Sequence, residues 1–168
     1  YNELVATVTH IIHNAWPMSG TRPLKGFEGQ FKVMRNLVDL ASAAVSSRGS
    51  VIGFQFVSSI AVVGHHPSTR SNHCLVPEER IHTAASVLPN GYGDAKWVCE
   101  RMLDETLHRY PQHFTAMAVR LGQIAGSRTS GYWNHMEHFT FMVQSSQTLG
   151  VFPKLDGVMS WTPVNDVA

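Results

Sequence analysis

Cysteine is scarce in this sequence, which has only Cys74 and Cys99 among its 168 residues. Two thiols are too few for the disulfide framework that small secreted domains use, so a reducing, cytoplasmic setting is expected. No apolar run is long enough to span a bilayer, and no signal peptide is visible after Tyr1. These absences argue against a membrane protein and against a disulfide-stabilised one.

Charge is also low. Charged residues make up 15% of the chain, hydrophobic residues 43%, and the formal net charge is +1. Such a balance gives no electrostatic reason to expect nucleic acid or an anionic membrane as a partner. The composition is that of a globular domain with a real core, and it gives no indication of the oligomeric state.

Histidine, by contrast, is plentiful, with ten residues that invite a metal-site interpretation. The nearest candidates are His65-His66, His73-Cys74 and His135-x-x-His138. Zinc sites usually combine two such short-spaced pairs, and none of these pairs has a matching second half. We therefore expect surface and loop histidines and no metal.

Apolar residues alternate between strand-like and helix-like patterns along the chain. The predicted elements are a strand from Val8 that stops before Pro17, a helix over 27–44, a strand within 50–64, a long loop over 65–90, a helix over 91–109, a strand within 114–126, a helix from about 134, and a short strand followed by a helix near Asp166. Alternating buried strands and helices predict an α/β fold with a parallel sheet. Both ends are abrupt, as expected for the middle of a larger domain.

Tyr92 and Lys96 lie four residues apart near the start of the helix predicted at 91–109. At this spacing both side chains share one helix face, which can place an ammonium beside a phenol. A nearby positive charge should lower the pKa of Tyr92 from about 10 toward neutrality and make it a usable general acid or base. The alternative is a solvated helix face with two unrelated residues.

Ser58 and Ser59 stand at the carboxyl end of the second predicted strand, the edge where open parallel sheets bind ligands. A hydroxyl there could hydrogen-bond a substrate carbonyl and place it against Tyr92. A strand-end serine that caps a turn is the alternative.

Two further strands end at the same predicted edge. The first ends in "HNAW", where small residues would let a flat cofactor approach the backbone, and the third ends in "RLGQIAG" with Gly122 close behind. Three strands thus bring small or polar residues to one edge of the sheet. This convergence is stronger evidence for a binding site than any single motif.

The segments "VTHIIHNAWPMSG", "FKVMRNLVDLA", "FQFVSSIAVVG", "GYGDAKWVCERML", "AVRLGQIAG" and "SWTPVNDVA" together resemble the extended short-chain dehydrogenase/reductase family. The resemblance is closest to the thioester reductase domains that end fungal non-ribosomal peptide synthetases, polyketide synthases and related adenylate-forming reductases. It implies a Rossmann-like doubly wound parallel sheet. It also implies an NADPH-dependent oxidoreductase of secondary metabolism, which releases a thioester from the phosphopantetheine arm of a carrier domain as an aldehyde or alcohol.

The resemblance also implies roles for individual residues. Ser59 falls on the catalytic Ser/Thr position, Tyr92 on the proton donor, and Lys96 on the residue that lowers the tyrosine pKa and holds the nicotinamide ribose. NADP is implied in preference to NAD. The implied cofactor-binding positions are His13, Asn14, Ala15, Ser58, Tyr92, Lys96, Arg120, Gly122 and Gln123.

One departure from the family pattern is clear: the sequence contains no G-x-x-G-x-x-G turn, which would hold the cofactor pyrophosphate at a helix N-terminus. Residues 1–168 are therefore expected to be the central and catalytic part of one NAD(P)-binding reductase domain, truncated at both ends. Alone, they should be marginally stable and bind NADPH weakly. Two alternatives stay open, namely a reductase or epimerase acting on a free small molecule, and a non-catalytic reductase-like module that docks a carrier domain.

Overall fold

The computed structural model describes residues 1–70, 75–155 and 161–168. They form two compact units, Tyr1–Leu121 and Gly122–Ala168. No helix within the described ranges is long and apolar enough to cross a membrane. The helices and strands in chain order are α1 (Asn2–Thr7), β1 (His10–His13), α2 (Glu28–Arg48), β2 (Ile52–Ser59), α3 (Gly91–Glu105), β3 (Phe114–Leu121), β4 (Gln123–Ala125), α4 (His138–Leu149), β5 (Trp161–Pro163) and α5 (Val164–Val167).

The first unit is built on a three-stranded sheet in the order β1-β2-β3, and all three strands are parallel. His13 lies opposite Phe56, and Ser59 lies opposite Leu121. This arrangement confirms the parallel α/β fold predicted from the alternating patterns. Because the strands run in one direction, the residues that follow β1 and β2 emerge at the same edge of the sheet.

The core of the first unit lies between β2 and the two long helices. Every second residue of β2 is buried, and the residues between them are half-buried. Apolar residues of α2 recur at three- and four-residue spacing, which gives the helix one face that packs on the sheet. The buried cluster consists of Ile11, Met34, Val38, Leu40, Ala41, Ala44, Ile52, Phe54, Phe56, Cys99, Leu103, Leu107 and Phe114.

Both long helices end close to the predicted positions, with local differences. α2 runs on past the predicted end at residue 44 to Arg48 and stops at Gly49, whose φ of 67° is a left-handed conformation that glycine adopts at little cost. α3 is shorter than predicted, because after Glu105 the chain tightens into a 3-10 turn at Leu107–Arg109.

The start of α3 is fixed by two contacts. The side-chain oxygen of Asn90 accepts a hydrogen bond of 2.8 Å from the backbone N–H of Gly93, which caps the helix. A Cβ at Gly91 would lie 2.3 Å from the carbonyl oxygen of Arg22, so only glycine lets the helix begin against that segment. Tyr92, the second residue of α3, is thereby held at a defined place.

The strand predicted within 114–126 is two strands. β3 ends at Leu121 because its partner β2 ends opposite it at Ser59. β4 then pairs with β5 in the second unit, with Gln123 opposite Trp161.

The second unit also contains the two C-terminal helices and a cluster of aromatic rings. α4 begins at His138, later than the predicted 134, and α5 begins at Val164, earlier than the predicted position near Asp166. The first residues of the predicted closing strand, 158–160, lie outside the described residues. Trp133, Phe139 and Trp161 pack ring against ring, at centroid separations of 4.3–5.7 Å.

The long loop predicted over 65–90 is confirmed in its described part, which holds only the short 3-10 turns Pro67–Arg70 and Ala84–Ser86. His73 and Cys74, named above as a possible metal pair, lie outside the described residues. Within the ranges that the structure covers, no group of three or more His, Cys, Asp or Glu side chains is arranged to hold a metal ion.

Candidate active site

The end of β2 and the start of α3 bring Ser59 and Tyr92 together. The Ser59 hydroxyl lies close enough to the Tyr92 phenol to act on its pKa as a hydrogen-bonding group. Ser59 Oγ also accepts a bond of 3.2 Å from the backbone N–H of Ala61, where the strand turns into a 3-10 helix. Ser59 therefore caps a turn and contacts the tyrosine hydroxyl at the same time, so the two interpretations of this serine are compatible.

The pKa of Tyr92 is raised above its ordinary value of 10.0, because burial disfavours the phenolate more than the Ser59 hydrogen bond favours it. The expectation that Lys96 lowers this pKa toward neutrality is wrong for this arrangement. The physical reason is that the phenol is buried, while the Lys96 ammonium bonds to the Val57 carbonyl and lies 5.7 Å from the centre of the tyrosine ring. With a raised pKa, Tyr92 carries its proton at neutral pH, which is the state a proton donor needs.

Lys96 is buried, with 3% of its surface exposed. Its Nζ donates a 2.6 Å hydrogen bond to the carbonyl oxygen of Val57. The same atom lies 4.1 Å from the ring centroid of Trp16, 4.8 Å from that of Phe56 and 5.7 Å from that of Tyr92. Burial lowers the pKa of Lys96 from 10.5 to about 8, so the ammonium form still predominates at neutral pH.

His13, the last residue of β1, is buried beside this lysine. Its ring lies 5.5 Å from that of Phe56, and burial together with the Lys96 charge lowers its pKa. His13 Nε2 is buried and has no hydrogen-bond partner among the described residues.

Asn14 and Ala15 follow β1 and are exposed at the edge where β2 ends in Ser59. Their exposed backbone and amide groups, with the Tyr92 phenol and the Lys96 ammonium in the same unit, match the polar chemistry of a nicotinamide and its ribose. Nε2 of His13, the last residue of β1, is a further polar atom without a hydrogen-bond partner among the described residues. The residues present therefore fit the nicotinamide end of such a cofactor.

Ser58 and Arg120, both implied as cofactor contacts by the resemblance, are held within the protein. The Ser58 hydroxyl donates a 2.5 Å hydrogen bond to Oε1 of Glu100, which is only 5% exposed. Arg120 donates to both carboxylate oxygens of Glu100, at 2.8–3.2 Å, and to the carbonyl oxygen of Glu79 at 3.0 Å. A role for either residue in cofactor binding stays a prediction, and the structure gives both a role in packing.

Glu100 is the residue that sequence reasoning missed. It lies four residues after Lys96 and eight after Tyr92, so helical spacing places all three on one face of α3. That periodicity was the available signal. A glutamate on a helix is usually solvated, which hides a buried carboxylate in a sequence.

Gly122 and Gln123, the remaining predicted cofactor contacts, belong to the second unit. Gln123 begins β4 opposite Trp161, and its side-chain amide donates a 3.3 Å hydrogen bond to the carbonyl oxygen of Ile124. Their role as cofactor contacts stays a prediction.

Comparison with protein families gives a match over the whole chain. The model of the NAD-binding family described as "Male sterility protein" matches residues 1–168. The chain belongs to this family. The match agrees with the nicotinamide-type site built above.

The chain is also similar to parts of long fungal enzymes. It is 62% identical over 170 residues to the non-reducing polyketide synthase pks11 of Talaromyces marneffei. It is 63% identical over 169 residues to the non-reducing polyketide synthase tazA of Aspergillus terreus. Both matches cover 100% of this chain and 6% of the relative, so the chain spans a small part of the curated proteins it resembles.

Solved structures support the fold. The terminal R domain from the myxalamid PKS-NRPS biosynthetic pathway aligns with a TM-score of 0.76 at 19% identity, over 97% of this chain and 38% of that one. A UDP-N-acetylglucosamine 4-epimerase from Bacillus cereus aligns with a TM-score of 0.58 at 15% identity, over 99% of this chain and 54% of the other. Together with the family match, these findings confirm the predicted Rossmann-like fold, the resemblance to polyketide synthase reductase domains and the assignment to NAD(P)-binding oxidoreductases.

Proposed function

We propose that this chain is the central, catalytic part of a reductase domain that releases a carrier-bound polyketide thioester as an aldehyde, using NADPH. The observation that carries the proposal is the proximity of the Ser59 and Tyr92 side chains, with Lys96 on the same face of α3. Two hydroxyls that meet at a strand end can both donate to one carbonyl oxygen. This is the arrangement needed to stabilise an oxyanion and then protonate it.

The residues of the chain divide the work as follows. Ser59 and Tyr92 donate hydrogen bonds to the thioester carbonyl oxygen, and each such bond to a developing oxyanion contributes about 3–4 kcal/mol. A reduced nicotinamide, when bound, supplies the hydride for the carbonyl carbon. Tyr92 gives its proton to the oxygen, after which the carbon–sulfur bond breaks and the products are an aldehyde and the carrier thiol.

Lys96, on the same face of α3 as Tyr92, is the residue we expect to hold the nicotinamide ribose. The Lys96 pKa of about 8 keeps most of the ammonium protonated at neutral pH. Asn14 and Ala15, exposed at the same edge, are the residues we expect to line the nicotinamide end.

The substrate class is inferred from the relatives. They are named non-reducing polyketide synthases, and they match this chain over its whole length at 61–63% identity. Polyketides grow as thioesters on carrier domains, so we propose such a domain, with its phosphopantetheine arm, as the partner of this chain. A thiolation-reductase di-domain from an archaeal non-ribosomal peptide synthetase shares the fold, with a TM-score of 0.60 at 16% identity.

The test compares substrate classes in the full-length protein that carries this chain. We would supply an acyl thioester on phosphopantetheine and the corresponding free aldehyde, each with NADPH or NADH, and a nucleotide sugar with NAD⁺, and follow nicotinamide oxidation, product mass and the configuration of the sugar. The proposal expects aldehyde formed from the thioester, with NADPH preferred. Turnover of the nucleotide sugar alone would favour an epimerase, and turnover of none would favour a non-catalytic module.

A further inference from the structure

The ammonium of Lys96 lies among the aromatic rings of Trp16, Phe56 and Tyr92. Phe56 belongs to β2 and Tyr92 to α3, whereas Trp16 follows the end of β1 by three residues, and its ring centroid is 4.1 Å from Nζ. We propose that Trp16 is a positioning residue, whose indole face clamps the Lys96 ammonium against the Val57 carbonyl and beside Tyr92. This inference rests on the proposed function and assigns a role to a residue that the motifs left without one.

Trp16 is itself fixed in place by other rings. It stacks on Phe27, with centroids 5.9 Å apart and planes inclined by 18°, and it meets Phe56 edge-on at 5.7 Å. Phe27 is fully buried and also lies edge-on to Tyr92 at 6.4 Å. Phe27 therefore contacts both Trp16 and Tyr92. Because Phe27 and Phe56 pack against the indole of Trp16, they keep its face toward Lys96.

A buried ammonium needs compensation, and the surrounding ionisable groups supply little of it. The groups that act on or lie beside Lys96 are His13, Tyr92, Cys99 and Glu100. His13 is kept neutral by its lowered pKa, and Cys99 and Tyr92 have raised pKa values and stay protonated. Glu100 is the remaining anion of this set, and it already pairs with Arg120 at 2.8 Å.

The face of an indole is the strongest partner that an aromatic side chain offers a cation, and the attraction grows when water is excluded. Trp16 therefore complements the hydrogen bond that Lys96 donates to the Val57 carbonyl. The consequence for the reaction is that Trp16 keeps Lys96 both charged and close to Tyr92. Loss of the indole should leave the lysine in its dry site with less to stabilise the charge.

Nuclear magnetic resonance tests the clamp without any enzymatic readout. Nuclei above an aromatic face are shifted upfield, so in the lysine-labelled full-length protein that carries this chain the Lys96 methylene next to Nζ should resonate upfield of exposed lysines such as Lys25, Lys32 and Lys154. Lys96→Arg assigns the peak by removing it. In Trp16→Leu, which keeps the site apolar but removes the ring, the peak should move toward the exposed lysines, and its titration should shift to lower pH.

The pH profile of turnover in the full-length protein that carries this chain is the second arm. In Trp16→Leu the alkaline limb assigned to Lys96 should move down by about one pH unit, the scale expected for a desolvated cation–π contact. Trp16→Phe keeps an aromatic face, so its alkaline limb should lie close to the wild-type position. Trp97→Leu is the matched control, because Trp97 adjoins Lys96 in sequence but binds the Ile81 carbonyl and packs with a separate cluster.

The two arms separate the clamp from the proposed reaction. An upfield Lys96 peak that Trp16→Leu abolishes supports the clamp even if thioesters are not reduced. A wild-type Lys96 peak at the position of the exposed lysines overturns it. An alkaline limb that is unchanged or raised in Trp16→Leu also overturns it, as does an equal shift in Trp97→Leu. If Trp16→Leu does not fold, Trp16→Phe is measured in its place. A small downward shift of its alkaline limb supports the clamp, and an unchanged or raised limb overturns it.

Discussion

Ser59 and Tyr92 come together across the junction between the last residue of β2 and the first turn of α3, although the long loop over 65–90 separates them in sequence. Two features set this contact. The sheet register ends β2 at Ser59, and Gly91 lets α3 begin tightly against the segment after β1. The pair of hydroxyls is therefore a product of the fold, not of a local motif.

The neighbouring serines Ser58 and Ser59 should respond differently to substitution. Ser59→Ala removes a donor to the substrate oxygen, so turnover should fall by at least about 10²-fold with little loss of stability. Ser58→Ala removes a hydrogen bond to the buried carboxylate of Glu100, so the free energy of unfolding should fall by about 2 kcal/mol while turnover changes little. Denaturant titration and steady-state kinetics on both variants measure the contrast, and the reverse pattern would move the catalytic role to Ser58.

Arg120 should matter more for stability than for the cofactor. Arg120→Met strips the buried Glu100 of its ion pair, which should lower the free energy of unfolding by about 3 kcal/mol. Arg35→Met breaks an exposed ion pair with Asp39 on α2 and is the control, with an expected cost below about 1 kcal/mol. Adding Glu100→Gln to Arg120→Met should recover part of the loss. An Arg120→Met variant with wild-type stability and weakened cofactor binding would instead support the predicted nicotinamide contact.

The sequence predicted the helix face that carries Tyr92 and Lys96 but not the electrostatics around it. Helical spacing identifies a shared face, whereas the position of a flexible lysine side chain depends on residues far away in sequence. Trp16 and Val57 hold the ammonium 5.7 Å from the centre of the Tyr92 ring, and burial of the phenol raises the Tyr92 pKa. No local pattern contains that information.

The same limit applies to the strands. Residues 114–126 predict one strand followed by a glycine-bearing turn, and Gly122 does follow the end of β3. The short strand β4 that comes next depends on pairing with β5, which no pattern within 114–126 contains. Glu100 shows the converse case, since its polar identity conceals a buried position that only the packing of Ser58 and Arg120 reveals.

The buried charge of Lys96 should lower the free energy of unfolding of the protein, although turnover requires this residue. Its ammonium is buried and its pKa is lowered to about 8, so folding at neutral pH carries the cost of a charged group in a dry site. Lys96→Met should therefore raise the free energy of unfolding at pH 7 by up to about 3 kcal/mol while abolishing turnover. Lys32→Met, which removes an exposed lysine on α2, should give no such gain.

The gain from Lys96→Met should also depend on pH. The unfolded chain holds the lysine proton up to 10.5 and the folded one only to about 8, so the cost is full below pH 8 and disappears as the pH rises through 10.5. The difference between wild type and variant in denaturant titrations should shrink across that window. The comparison is made between the two proteins because the raised pKa values of Tyr92 and Cys99 act in the opposite direction in both. A difference that stays constant with pH would contradict the lowered Lys96 pKa.

The most direct test of the central claim is a single-turnover measurement of aldehyde release from a carrier-bound thioester, in the full-length protein that carries this chain, with wild-type Tyr92 and with Tyr92→Phe. The exposed Tyr110→Phe serves as the control. We predict that Tyr92→Phe slows release by at least about 10²-fold, the usual size of a general-acid contribution, with an unchanged unfolding transition, whereas Tyr110→Phe behaves like wild type. Release by Tyr92→Phe at the wild-type rate would contradict the assignment of Tyr92 as the proton donor.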